Sequence, residues 1–234
     1  QYQRLLMKKP VKVRLESLTP FEPISDKQSE VVKAYKSGNN LMLSGSAGTG
    51  KTFIALSLAL EDVLDKNTRY DKVVIIRSIV PTRDIGFLPG DEEEKKEAYT
   101  APYRSIITDI CSGDPEAWTK LTASGELEFM STSFIRGMTI SNAIIVVDEF
   151  QNCNGHELDS VITRMGNNCK VIMCGDYYQS DFTKETEKKS VLKFLEIVQQ
   201  LNKFSCIEFT WQDIVRSSIV RDYIMTKEML KINF

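Results

Sequence analysis

The sequence predicts an α/β fold, a parallel sheet of about five strands covered by helices on both faces. Three observations carry that prediction. The runs Lys72–Ile76, Ala143–Val147 and Lys170–Cys174 are apolar almost throughout instead of alternating, the pattern of strands buried on both faces. Helix-length segments separate them, as parallel strands joined by crossovers require. The first strand also runs straight into Gly45-Ser46-Ala47-Gly48-Thr49-Gly50-Lys51-Thr52, a glycine loop that opens a helix.

In chain order, residues 1–24 read as an N-terminal arm broken by Pro10, Pro20 and Pro23, with one short strand near Val11–Leu15. Residues 25–234 form the α/β domain. Ser25 or Asp26 caps a helix running through Tyr35. Asn40–Leu43 is the first strand, Phe53–Leu64 the helix after the loop, and Lys72–Ile76 the second strand. Pro81–Gly90 is a loop and Asp91–Glu97 a solvated helix start. Tyr103–Cys111 is helical, Asp114–Ser124 a helix or loop, and Leu127–Met130 a short strand. Ala143–Val147 ends on Asp148-Glu149, and Lys170–Cys174 ends on Gly175-Asp176. An amphipathic helix over Ser190–Leu201, a strand over Cys206–Phe209 and a C-terminal helix over Trp211–Met225 complete the domain.

Composition narrows the function. With 42% apolar residues in 234, the chain can bury a sizeable core. A net charge of −2 excludes a uniformly basic nucleic-acid binder but leaves room for local basic patches. The five cysteines are odd in number and form no C-x-x-C pair, so they read as buried thiols rather than as disulfides or a zinc site. A single histidine, His156, rules out a His-rich metal site. No apolar run approaches the ~20 residues that span a bilayer, so no membrane partner is expected.

The glycine loop fits G-x-x-x-x-G-K-[ST]. Its glycines let successive backbone N–H groups face phosphate oxygens, Lys51 brings a positive charge to the β/γ-phosphates, and the Thr52 hydroxyl is placed to ligate Mg²⁺. The binding residues are therefore Gly45, Ser46, Ala47, Gly48, Thr49, Gly50, Lys51 and Thr52. At the end of an apolar strand, Asp148 suits the same Mg²⁺ and Glu149 suits the activation of a water. A Gln at position 179, after the strand end Gly175-Asp176, suits a γ-phosphate sensor, and an ordinary turn explains the same residues as well.

Six segments in order then carry a resemblance: the glycine loop, Gly86-Phe87-Leu88-Pro89-Gly90-Asp91, Phe134-Ile135-Arg136-Gly137-Met138-Thr139, Val147-Asp148-Glu149-Phe150-Gln151-Asn152, Gly175-Asp176-x-x-Gln179-x-Asp181, and Asp213-Ile214-Val215-Arg216. Together, over roughly Ile24 to Arg221, they resemble the PhoH-like ATPases, whose core is similar to that of superfamily 1 helicases. The family pattern usually has Ala where Phe150 stands and often a basic residue where Met138 stands. The compact length, with no nuclease domain visible, looks like a phage-borne version and implies a cytoplasmic protein, in the host cytoplasm if phage-encoded.

The resemblance implies a RecA-like P-loop NTPase that uses ATP and Mg²⁺. It makes Lys51, Glu149, Gln179 and Arg216 catalytic, Thr52 and Asp148 the metal residues, and Gln28 the reader of adenine. Arg136 and Arg216 are candidate arginine fingers or nucleic-acid contacts. One RecA-like domain lacks the second domain that supplies an arginine in helicases, so a homo-oligomeric ring is expected, with a hexamer as first guess and Arg216 or Arg221 as donor. Single-stranded RNA or DNA is the expected partner, through basic patches (Lys8, Lys9, Lys12 and Arg14; Arg77 and Arg83; Lys184, Lys188 and Lys189) and the aromatics Phe87, Tyr99, Tyr103, Tyr177 and Tyr178. Two other classes stay open, a small-molecule kinase of the P-loop fold and a nucleotide-gated assembly module without unwinding activity.

Overall fold

Among the described residues, six parallel strands form one sheet in the order β3-β2-β4-β5-β1-β6: β1 (Asn40–Gly45), β2 (Lys72–Arg77), β3 (Leu127–Ser131), β4 (Ala143–Asp148), β5 (Cys169–Cys174) and β6 (Phe204–Phe209). The computed structural model describes residues 12–78, 92–177, 185–230 and 232, without the side chains of 92–96 and 185. The expectation of about five strands becomes six because the short run Leu127–Ser131 pairs in parallel with β2 and forms one edge.

Side chains of consecutive strand residues divide between two cores, as the period of two requires. One face of the sheet, including Leu41, Leu43, Val73, Ile75, Ile144 and Val146, packs under α1 (Asp26–Lys36), α2 (Lys51–Leu64), α3 (Glu92–Ile110) and α4 (Ala117–Ser124). The other, including Met42, Val74, Ile76, Ile145 and Val147, packs under α5 (Gly155–Thr163) and α6 (Glu185–Gln199). All six residues of β4 are buried, as befits a central strand covered on both faces. Each fully buried aliphatic side chain contributes about 1.5–3 kcal/mol.

Local signals explain the helix starts. Ser25 accepts a hydrogen bond from Gln28 N at the start of α1. Asn154 and Glu157 form a reciprocal capping box at the start of α5, a helix the sequence reading did not identify. The strand expected near Val11–Leu15 is absent over residues 12–15. Leu15–Ser17 is instead a 3₁₀ turn, and Thr19 N bonds to Ile110 O at the end of α3, so this stretch is tied to a helix rather than a sheet edge.

The C-terminal helix also differs. Trp211–Asp213 is a 3₁₀ turn closed by Thr210 and Asp213, residues 214–217 carry no regular structure, and α7 (Ser218–Met229) follows. Val215 N donates to Gly48 O, which draws this stretch across the glycine loop and away from helical geometry. Three of the five free thiols are buried, but Cys169 is half-buried and Cys206 is exposed on the edge strand β6, against the expectation that all are buried.

Candidate functional site

The glycine loop, the ends of β4 and β5, and the segment after β6 meet at the carboxyl edge of the sheet, the edge at which open α/β sheets bind ligands. Gly45 is the pivot. Its φ of +110° lies outside the range of L side chains, and a Cβ there would sit 1.9 Å from Phe209 O. Gly48 (φ +74°) and Gly50 (φ +84°) are also left-handed, which turns the loop into the start of α2. Lys51 Nζ donates to Gly45 O and Ser46 O at 2.7 Å and to Thr49 Oγ1 at 3.3 Å, which holds the ammonium over the loop. Burial lowers its pKa, while Cys174, Asp176, Glu149 and Asp148 oppose that shift.

Thr52 Oγ1 donates to Asp148 Oδ1 at 2.7 Å and so bridges α2 to the end of β4. The other oxygen, Asp148 Oδ2, accepts from the buried Tyr103 hydroxyl at 2.8 Å. Burial, followed by the charge of Asp148, raises the Tyr103 pKa well above its ordinary value and keeps that hydroxyl a donor. Arg77, opposite Asp148 in the β2–β4 register, hydrogen-bonds Tyr103 in turn.

Glu149 takes the left-handed conformation (φ 52°, ψ 45°) without being glycine. Such a backbone costs about 1 kcal/mol or more and persists only where its surroundings enforce it. Gln151 is one enforcer. Its Nε2 donates to Glu149 Oε2 at 2.5 Å, and its Oε1 accepts from Asp176 N at 3.0 Å, which ties the carboxylate to the end of β5. Burial, then the adjacent Asp148, raises the Glu149 pKa, and the Gln151 amide opposes the rise.

Among the described residues no group of three or more His, Cys, Asp or Glu could hold a metal ion unaided. The oxygen pair Thr52–Asp148 beside a phosphate cradle nevertheless fits Mg²⁺, which prefers one or two protein oxygens supplemented by phosphate and water.

The sequence profile described as PhoH-like protein matches residues 20–228. The chain belongs to the PhoH-like protein family. It is 30% identical over 204 residues to a PhoH-like protein of Synechocystis sp., covering 86% of this chain and 60% of that protein. The PhoH-like protein of Bacillus subtilis is 31% identical over 198 residues (84% and 60%), and Protein PhoH of Escherichia coli 28% over 202 (86% and 56%). The chain thus spans about 60% of the length of these relatives. Among solved structures, the large terminase of a thermophilic bacteriophage matches with TM-score 0.50 at 13% identity, covering 89% of this chain and 50% of that one. The Pyrococcus furiosus Hef helicase domain matches with TM-score 0.47 at 16% identity, covering 83% and 39%. The fold of this PhoH-like chain is a parallel α/β sheet covered by helices, with a glycine loop between β1 and α2.

Of the residues singled out from the sequence, Gly45 to Thr52, Asp148 and Glu149 converge. Gln28, whose amide is buried (3% exposed), joins them: its Nε2 reaches Thr49 O at 3.4 Å and its Oε1 accepts from Ile24 N at 2.9 Å. Arg216 lies over the loop of its own chain, with Cγ 3.0 Å from the position of a Cβ on Gly48. Arg221 instead lies 6.0 Å from the Trp211 ring centroid. Arg136 is exposed after β3, beside exposed Phe134 and Met138.

Lys8, Lys9, Arg83, Phe87, the Gly86–Asp91 segment, Tyr178, Gln179, Asp181 and Lys184 lie outside the described residues. Tyr103 does not fit the base-stacking role expected for it, because its ring is 1% exposed and faces the site from within the core. Sequence reasoning quoted Gln151 within its motif without giving it a task. Its place two residues after Glu149 is the one signal that could have found it.

Proposed function

We propose that this chain is a Mg²⁺-dependent ATPase whose turnover is coupled to single-stranded nucleic acid. The observation that carries the reading is the Thr52–Asp148 hydrogen bond beside a Glu149 held by Gln151. It joins the phosphate cradle to a placed carboxylate, which suits water as nucleophile better than a substrate hydroxyl. Mg²⁺, held by Thr52 and Asp148, would supply charge neutralisation at the phosphates. Lys51 would exchange loop carbonyls for phosphate oxygens, Glu149 would take the proton of the attacking water, and Gln28 would read adenine from the flank of the loop. Gln179 remains the proposed γ-phosphate sensor.

Arg216 lies over its own loop, which supports a phosphate contact within its own chain. A further arginine from a neighbouring subunit, Arg221 or Arg136, is the reason to retain a homo-oligomeric ring, with six subunits as first guess. The exposed Phe134, Arg136 and Met138 follow β3 on the same edge of the sheet and offer a charged and apolar surface for a single strand. Among the described residues no helix is long and apolar enough to cross a membrane.

The test is ATP turnover with single-stranded RNA, with single-stranded DNA and with neither, across a salt series, in the wild type and E149Q. Expected are hydrolysis lost in E149Q with ATP binding retained, and stimulation by a single strand that fades as salt rises. Unchanged turnover in E149Q refutes the base; turnover indifferent to both polymers refutes the coupling.

A further inference from the structure

The Tyr103 hydroxyl has no packing purpose. A phenyl ring would fill the same space and keep the tilted contact with Phe129, whose centroid is 5.8 Å away. The hydroxyl is instead buried at a desolvation cost that only a good acceptor offsets, and the acceptor is Asp148 Oδ2 at 2.8 Å. A carboxylate rotates in a broad, roughly two-fold well about its last torsion. The bond from Thr52 to Oδ1 fixes one oxygen, but Thr52 sits on the glycine loop and is itself a metal residue in the reading above. Tyr103 comes from α3, bonds the other oxygen of the carboxylate, and at 1% exposure is closed off from solvent. Behind it, Arg77 at the end of β2 hydrogen-bonds the phenol and so strengthens the O–H as a donor to Asp148.

We propose that Tyr103 is a positioning residue that fixes the plane of the Asp148 carboxylate for Mg²⁺, with Arg77 as its support. The proposal rests on the reading of Asp148 as a metal-holding residue. Tyr103 touches neither nucleotide nor metal and acts only through Asp148. Two helices thereby hold one carboxylate, α2 through Thr52 and α3 through Tyr103. Arg77, expected from sequence to meet a nucleic-acid strand, is instead spent inward.

The test is calorimetric titration of wild type, Y103F and R77M with a non-hydrolysable ATP analogue, in EDTA and across a Mg²⁺ series. In the wild type Mg²⁺ tightens binding. In Y103F that tightening falls about tenfold, the scale of a hydrogen bond to a charged acceptor, while affinity in EDTA and the melting temperature stay near wild type. R77M shows a smaller loss in the same direction, and it carries the test if Y103F does not fold. In turnover, the Mg²⁺ needed for half-maximal rate rises about tenfold in Y103F by the same argument, and the rate recovers at high Mg²⁺. An undiminished Mg²⁺ effect in Y103F overturns the proposal. An equal loss in EDTA also overturns it, since the hydroxyl would then support the fold rather than the metal. A wild type that ignores Mg²⁺ overturns the metal reading itself, and this outcome is recognised without either variant.

Discussion

Replacing Gln151 by Leu removes one amide and leaves a side chain of similar volume in the same buried place. The bonds lost include the donation from Nε2 to Glu149 and the acceptance from Asp176 N. A hydrogen bond to a charged group is worth about 1.5–3 kcal/mol, and at about 1.4 kcal/mol per decade its loss from the transition state slows hydrolysis roughly ten- to a hundredfold. The pH dependence adds a second, independent readout. Burial and Asp148 raise the Glu149 pKa and the Gln151 amide lowers it, so Q151L raises it further. In the proposed mechanism Glu149 acts as a carboxylate and is lost as a base when pH falls through its pKa. The acid limb of kcat/KM, which reports the free enzyme, is therefore expected above that of an ordinary glutamate in the wild type and at still higher pH in Q151L. Steady-state ATP hydrolysis across a pH series measures both effects. A limb that stays in place, or moves down, at unchanged kcat would refute the argument that Gln151 holds the base.

Glycines 45 and 48 should respond differently to alanine. G45A drives a Cβ into Phe209 O of the neighbouring strand and should abolish soluble folding, read by expression and circular dichroism. G48A meets the flexible Arg216 side chain at 3.0 Å and should keep the fold at a cost of about 1–3 kcal/mol while weakening ATP binding, read by thermal denaturation and titration. N154A removes the acceptor that caps α5 and should cost about 1 kcal/mol, which lowers the melting temperature by roughly 2–4 °C in a chain of this size.

The sheet was legible because its inner strands are apolar run after run, and the glycine loop because its chemistry imposes its spacing. Leu127–Ser131 was less clear because Glu128 interrupts its apolar pattern and Lys72 pairs with that residue across strands. Helix α5 is short and polar, and its Asn154–Glu157 box was the one readable mark. Asp148 and Glu149 stood out as acids after an apolar strand. Tyr103 did not, because the contact with Asp148 joins residues 45 apart in sequence, and an aromatic on a helix gives no sign of what its hydroxyl meets. The placement of Arg216 over Gly48 was hidden for the same reason: it depends on β1 and β6 being neighbours, which no local pattern states.

That adjacency has a consequence for how the protein is made. Strand β1, which carries the glycine loop, pairs only with β5 and β6. A chain emerging from the ribosome therefore presents Leu41, Met42 and Leu43 with no strand on either side until residue 169 and beyond have been synthesised, and the peptide from Phe209 that receives Ser46 N arrives later still. Translation runs at about 5–20 residues per second, so this wait lasts on the order of ten seconds. Through that interval the nascent chain exposes an apolar strand that invites chaperones. The glycine loop is therefore translated well before the strands that hold it in place, β5 and β6.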